Sequence, residues 1–307
     1  MVVARLRAAG CVFAEEEATV LASAAASPAE LDAMVARRAG GEPLEQVVGW
    51  AGFAGLRVFV DPGVFVPRRR SEFLVEVAVL MAGRQSGTAP RVVVDLCCGT
   101  GALGLAVAVK LDRTVDAPQT VDVAGTVDVA RTVHVARAVD EAARDGDGVA
   151  AADVRLGGIE LHAADLDPAA VACARRNVEP AGGHVYAGDL FTALPDSLRG
   201  RAGVLICNAP YVPTTEIAFM PAEARDHEAL MALDGGADGL AILRRAAAEA
   251  GAWLAPGGVL LVETSERQAT AMAAVMTAAG LTAQVHEDDE SGATVVTGVT
   301  AGDLAIS

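Results

Sequence analysis

Four short stretches hold the residues that could do chemistry. "VLICNAPYVP" (Val204 to Pro213) ends an apolar run at Asn208-Ala209-Pro210-Tyr211, residues that polarise or restrict the backbone where a buried strand gives way to a loop. "VVVDLCCGTG" ends a strand at Asp95 and turns through Cys97, Cys98, Gly99, Thr100 and Gly101 into a helix, whose free N–H groups and neighbouring glycines admit close approach of a ligand. The G-x-G-x-x-G spacing is missing because Cys97 and Cys98 occupy its first positions, which disfavours pyrophosphate; alone, such a loop is equally a tight strand-to-helix turn. "IELHAAD" ends in Asp165, where a carboxylate holds a nucleotide ribose in this topology. Asp167 competes, although Asp-Pro before an apolar helical run reads as an N-cap followed by proline at the first helical position. "AGDLF" supplies Asp189, able to accept from an adenine amino group, with Leu190 or Phe191 to cover the base; taken singly, a solvated loop aspartate is the plainer reading.

All four signals fall at the carboxyl ends of successive strands, where open α/β sheets bind ligands. From Val92 onward the order is strand, glycine loop and helix in rotation, through "HVYAGDL", "GVLICNAPY", a helix around Leu240 to Trp253 and a strand at Gly258 to Thr264. That rhythm predicts a parallel, doubly wound sheet. Between Gln284 and Val299 there is no room for a crossover helix, so an antiparallel hairpin is expected at the sheet edge. Upstream, "AEEEATVLASAAA" is built of helix formers, and "SPAE" (Ser27 to Glu30) places Ser at the N-cap, Pro at N1 and Glu at N3. Gly49 to Pro67 alternates apolar residues with glycine and breaks at Asp61-Pro62-Gly63, a β-hairpin signal between two regions. The expected organisation is a short helical region at 1–48, a hairpin linker at 49–75 and an α/β domain at 76–307.

One interval breaks the rhythm. From Thr114 to Ala143 the chain repeats in hexads, "TVDAPQ TVDVAG TVDVAR TVHVAR AVDEAA". Five units are too few to bury a solenoid core, and V/D/V alternation leaves one face charged. A low-complexity surface insertion at about 112–152 is expected. Removing it restores the normal strand-to-strand order between Asp95 and Asp165, which are otherwise much farther apart than the roughly 20 residues that separate a glycine loop from its ribose acid.

At 307 residues, 52% hydrophobic and 21% charged, the chain can bury a large core. A net charge of −16, with only the isolated "PRRR" at Pro67 to Arg70 as a basic cluster, argues against stable nucleic-acid binding. Five cysteines without C-x-x-C spacing suit buried thiols in a reducing compartment, with no disulfide and no metal site expected. The first ten residues lack an apolar signal core, and the most apolar stretch, Val92 to Val109, is broken by Asp95 and glycines. A soluble, cytoplasmic protein without membrane contact is expected.

Taken together, "DLCCGTG", the acid after the second strand, "GDLF" and "NAPYVP" resemble the HemK/PrmC group of class I S-adenosylmethionine (SAM)-dependent methyltransferases, which methylate a glutamine side-chain amide in proteins. The resemblance extends to Gly41–Glu76 and Glu223–Leu240, and covers roughly Gly41 to Gly298 outside the insertion. It implies a Rossmann-like sheet, SAM as cofactor held by Asp95, Cys97, Cys98, Gly99, Thr100, Gly101, Asp165, Asp189, Leu190 and Asn208, and a catalytic set of Asn208, Ala209, Pro210 and Tyr211. It also implies that Asn208 Oδ1 and the backbone carbonyl of residue 209 accept the two N–H bonds of the acceptor amide, that Pro210 sets the loop, and that Tyr211 walls the amide plane. The partner implied is a glutamine-bearing protein, a peptide-chain release factor, bound in part by the N-terminal helices. The group's Asn-Pro-Pro-Tyr appears here with Ala209, and its Pro-Arg-Pro-(Asp/Glu)-Thr-Glu as Pro67-Arg68-Arg69-Arg70-Ser71-Glu72. The helical region before Gly41 is about half the group's usual length. Two other readings stand beside this one: N-methylation of a small molecule or nucleic-acid base, and a catalytically silent SAM-binding protein.

Overall fold

A computed structural model describes residues 1–84, 92–116 and 148–302. Four helices open the chain: α1 (Val2–Ala8), α2 (Ala14–Ala24), α3 (Pro28–Ala39) and α4 (Leu44–Val48). Ser27 caps α3 by accepting the Glu30 N–H at 3.2 Å, with Pro28 at the first helical position. These helices share a small core around Leu6, Leu21, Val35 and Val47. Arg38 fastens them onward, pairing with Glu17 at 2.7 Å and with Glu223 at 3.2 Å.

Strands β1 (Trp50–Phe53) and β2 (Leu56–Phe59) form an antiparallel hairpin. Its turn is Ala54-Gly55, both at positive φ (48° and 78°), a two-residue turn whose twist matches the strands. Asp61-Pro62-Gly63, expected as the hairpin break, lies beyond β2 and forms a separate turn with Val64 N–H on Asp61 O. A non-glycine at the first turn position hides the signal; Ala54 is held there by its N–H on Glu72 Oε1 at 3.1 Å. A third short strand, β4 (Val149–Ala150), pairs parallel with β2. Of the interval read as an insertion, residues 112–116 finish the helix that begins at Ala102, and 148–152 supply β4 and its 3₁₀ continuation; the hexad array from residue 117 on lies outside the described residues.

After α5 (Glu72–Gly83) comes the main sheet. Its strands are β3 (Val92–Leu96), β5 (Glu160–Asp165), β6 (His184–Ala187), β7 (Ala202–Cys207), β8 (Leu254–Thr264), β9 (Thr282–Asp288) and β10 (Ala293–Val299), in the order β6-β5-β3-β7-β8-β10-β9. The first five run parallel, while β10 is antiparallel to both its neighbours. The C-terminal hairpin therefore sits at the sheet edge. Strands β3 and β7 are buried along their whole length, as parallel strands covered on both faces must be. Alternation divides their side chains between two cores. Val93, Val204 and Ile206 pack with α5, α6 (Ala102–Asp116), α7 (Pro168–Val178) and the hairpin. Val92, Val94 and Leu205 pack with α9 (Ala241–Ala250) and α10 (Glu266–Ala278). The short α8 (Ala222–His227) lies between β7 and α9 in the chain. Strand order reverses between β3 and β7, and at such a switch point the carboxyl ends open a crevice. No described helix is long and apolar enough to cross a membrane.

Candidate active site

A cavity of about 210 Å³ opens at that crevice. It brings together the loop from Cys97 to Thr100, Asp165, Asp189, Leu190 and Asn208 to Tyr211.

The glycine loop is shaped by what lies under it. Cys97, Gly99 and Gly101 all have positive φ (54°, 56° and 76°). A Cβ at Gly101 would stand 2.6 Å from Val178 Cγ2, so this position accepts only glycine. Cys98 N–H donates to Ala164 O at 3.1 Å, tying the loop to β5. The fully buried Asn177 binds Thr100 O (2.9 Å) and Phe59 O (3.0 Å) through Nδ2, and takes the Phe59 N–H (2.8 Å) on Oδ1. Burial raises the thiol of Cys98 well above its ordinary value, and contact with Cys207 together with burial does the same to Cys97. Neither is a thiolate nucleophile. All five cysteines carry free thiols.

Asp95 is not at the cavity surface. It is fully buried beneath the loop, where Oδ2 accepts the Gly104 N–H at 2.8 Å in the first turn of α6. Its Oδ1 has no hydrogen-bond partner among the described residues, and burial pushes its carboxyl up to about 7. The reading of Asp95 as a ligand contact is thus corrected to a support for the loop. Asp165 does reach the cavity; Oδ2 accepts the Gly99 N–H (2.8 Å), Oδ1 the Asp167 N–H (2.9 Å), and burial raises its carboxyl. Asp167 caps α7 by accepting the Ala169 N–H at 2.9 Å. Asp189 stands at the rim, paired with Arg245 at 2.6 Å. Of the two residues considered for the base face, Leu190 lines the cavity, at a positive φ of 47°. Phe191 turns away to stack on Trp253, with ring centroids 5.3 Å apart.

At the other end of the cavity, Asn208 to Tyr211 follow β7. Val212 N–H donates to Leu233 O (3.2 Å) and Gly235 N–H to Val212 O (2.9 Å), so the "DGGADG" segment braces the loop. Contact is close: a Cβ on Gly239, at φ 77°, would fall 2.2 Å from Tyr211 O. The backbone N–H and carbonyl of Ala209 make no hydrogen bond among the described residues. Glu263, at the end of β8 and only 3% exposed at its side chain, binds Arg70 Nε (3.0 Å), Tyr211 Oη (2.8 Å), Ser71 Oγ (2.5 Å) and Asn208 Nδ2 (3.5 Å). Arg70 also donates to Tyr211 Oη. Burial and the Glu263 charge raise the Tyr211 phenol well above its ordinary value, so Tyr211 stays neutral. Arg68 pairs with the buried Glu228 at 2.5 Å. Glu263 and Asn177 were not singled out from sequence. A charge inside the apolar strand "VLLVET" and an amide inside the buried face of a helix were the signals present.

Sheet order, switch-point cavity, glycine loop and strand-end acid define a class I SAM-dependent methyltransferase. The cavity suits that cofactor on its own terms, since it offers a carboxylate (Asp165) beside a loop of positive-φ residues and an apolar wall at Leu190. No protein-family model matches the chain. Among curated proteins it is 33% identical over 235 residues to the release factor glutamine methyltransferase of Streptomyces coelicolor, covering 76% of this chain and 67% of that one. To the protein of the same name from Geobacter sulfurreducens it is 30% identical over 277 residues, covering 89% and 79%. It is also 33% identical over 248 residues to the 4-amino-L-phenylalanine/4-methylamino-L-phenylalanine methyltransferase of Streptomyces pristinaespiralis, covering 80% and 69%. The chain belongs to the release factor glutamine methyltransferase family, and SAM is its cofactor.

Proposed function

We propose that this enzyme methylates the side-chain amide nitrogen of a glutamine in a peptide-chain release factor, in the cytoplasm, with residues 1–48 contributing to recognition of the protein substrate. The observation that carries the reading is the cavity shared by the glycine loop and Asn208–Tyr211, with the Ala209 carbonyl free of hydrogen bonds among the described residues. Gly99, Thr100, Asp165 and Leu190 would hold the cofactor, which when bound supplies an electrophilic methyl. Asp165 would face the ribose and Leu190 the base.

An amide nitrogen is a poor nucleophile because its lone pair is delocalised into the carbonyl. The protein's task is to fix that nitrogen in line with the methyl and to favour localisation of the lone pair. Asn208 Oδ1 and the Ala209 carbonyl would accept the two N–H bonds, and the neutral Tyr211 ring would wall the amide plane. Replacement of the usual proline by Ala209 keeps the carbonyl, removes the φ constraint and adds an N–H that makes no hydrogen bond among the described residues. No strong base is called for, because the nitrogen becomes acidic as its new bond forms.

The test is labelled methyl transfer to purified release factor and to its Gln→Ala form, with Asn208→Ala enzyme as control. Transfer to the intact factor alone is expected, with turnover lowered roughly 10²-fold or more by Asn208→Ala while SAM affinity holds. Transfer to both forms would move the acceptor elsewhere, and transfer to neither would sink the release-factor assignment. A second reading, N-methylation of a small aromatic amine, is favoured by the Streptomyces pristinaespiralis relative. Substituting 4-amino-L-phenylalanine as acceptor in the same assay separates the two.

A further inference from the structure

We infer that Glu263 is a positioning residue that sets the hydrogen-bonding polarity of the acceptor site by orienting the Asn208 amide, and so restricts the substrate to groups that donate N–H. The inference rests on the reading above, in which Asn208 meets the acceptor nitrogen. An asparagine side chain carries a donor end and an acceptor end of nearly identical shape, and space alone does not choose between them. A carboxylate only accepts. Glu263 lies 3.5 Å from the Nδ2 end of Asn208, so only the NH₂ group can face it. The planar amide then turns Oδ1 the opposite way. With the amide reversed, an NH₂ group would oppose the NH₂ of the acceptor, donor against donor.

The carboxylate is itself fixed. Arg70 and Tyr211 bind Oε1, while Ser71 shares Oε2 with Asn208. All four of these partners, Arg70, Ser71, Asn208 and Tyr211, line the substrate cavity. One buried charge therefore holds both the hydrogen-bonding group and the aromatic wall. A carboxylate acceptor group has no N–H to offer Asn208 Oδ1 and is disfavoured at this position, whereas primary amides and amines fit.

The decisive experiment exchanges donor and acceptor across the pair. Glu263→Gln can present an NH₂ group to Asn208, and kcat for methyl transfer is expected to fall by about 10²-fold, the usual cost of a misdirected polar contact at a reacting group. SAM affinity by calorimetry should stay within about threefold, because none of the hydrogen bonds of Glu263 among the described residues goes to the glycine loop. Asn208→Asp alone sets two carboxylates together and should also lose turnover. In the double variant the new glutamine amide donates to the new aspartate, whose second oxygen again faces the cavity. It should recover at least about tenfold over the product of the single effects. Multiplicative losses, or a Glu263→Gln enzyme with the parent's kcat, would overturn the inference.

A second measurement needs neither a Glu263 variant nor the right acceptor. In ¹⁵N spectra of the unaltered enzyme, the Asn208 side-chain pair, assigned by its loss in Asn208→Ala, should show one proton shifted downfield and slowed in solvent exchange by its bond to a carboxylate. A freely exchanging, unshifted pair would overturn the inference even if release-factor transfer fails. A shifted pair in an enzyme inactive on release factor would leave the orientation standing and remove only the substrate reading.

Discussion

Replacing Asp95 by asparagine should change how the protein's stability depends on pH more than it changes the stability itself. Asp95 is fully buried, with one oxygen on the Gly104 N–H and the other unpartnered, and its carboxyl is pushed up to about 7 from an ordinary 3.8. The folded state therefore holds this proton more tightly than the unfolded chain does. Below about pH 4 the group is neutral in both states and costs nothing. As pH rises toward 7 the unfolded chain loses the proton first, unfolding is favoured, and stability falls by about 1.36 kcal/mol per pH unit. Across that span of about three units the loss approaches 4 kcal/mol, and above pH 7 it levels off because both states are ionised. Asparagine keeps the acceptor for Gly104 and cannot ionise. Its NH₂ would be buried without an acceptor, at about 1–3 kcal/mol, but that cost is the same at every pH. Urea unfolding of both proteins at pH 4.5 and pH 8 isolates the titrating part as the change in their difference. Asp95→Asn should be the weaker protein in acid and draw level or ahead at pH 8. An identical difference at the two pH values would refute an Asp95 proton held through neutrality.

Asp165→Ala should weaken SAM binding by about 1–3 kcal/mol, as deletion of a charged hydrogen-bonding partner does; unchanged affinity in calorimetry would remove Asp165 from the cofactor site. Gly101→Ala should destabilise the fold by about 1–3 kcal/mol, since the residue is at positive φ and the added methyl meets Val178, and a thermal melt measures it. Ala209→Pro should keep turnover close to the parent's in the methyl-transfer assay, because the Ala209 N–H that proline removes makes no bond among the described residues.

The placement of the strand-end residues around one cavity was legible because each signal is local. Asp165, the Cys97 to Gly101 turn and Asn208 to Tyr211 sit beside strands whose apolar runs are plain, and one topology brings such ends together. What was hidden depended on distance or on direction. Glu263 lies 55 residues from Asn208 in sequence, and nothing in "LLVETSE" says which buried groups its carboxylate will serve. Asp95 lies one residue inside β3 and level with Ala163, whereas Asp165 is the last residue of β5, so one carboxylate sits beneath the loop and the other reaches the cavity. Leu190 and Phe191 were equal candidates until Trp253 claimed the phenylalanine. The hairpin turn went to the wrong glycine because Asp-Pro-Gly is the louder signal than Ala-Gly.

Asn177 has a practical consequence for anyone trimming this protein. The hairpin looks like a detachable linker, and a catalytic fragment starting near residue 76 is the obvious design. Such a fragment would keep Asn177 and the Thr100 carbonyl but discard Phe59, whose N–H and carbonyl take up one side of that amide. The orphaned polar atoms would lie in the wall that carries the cofactor loop. A minimal working unit therefore has to start at or before the hairpin, and a tag or fusion joint placed inside residues 50–59 would be felt at the far end of the glycine turn.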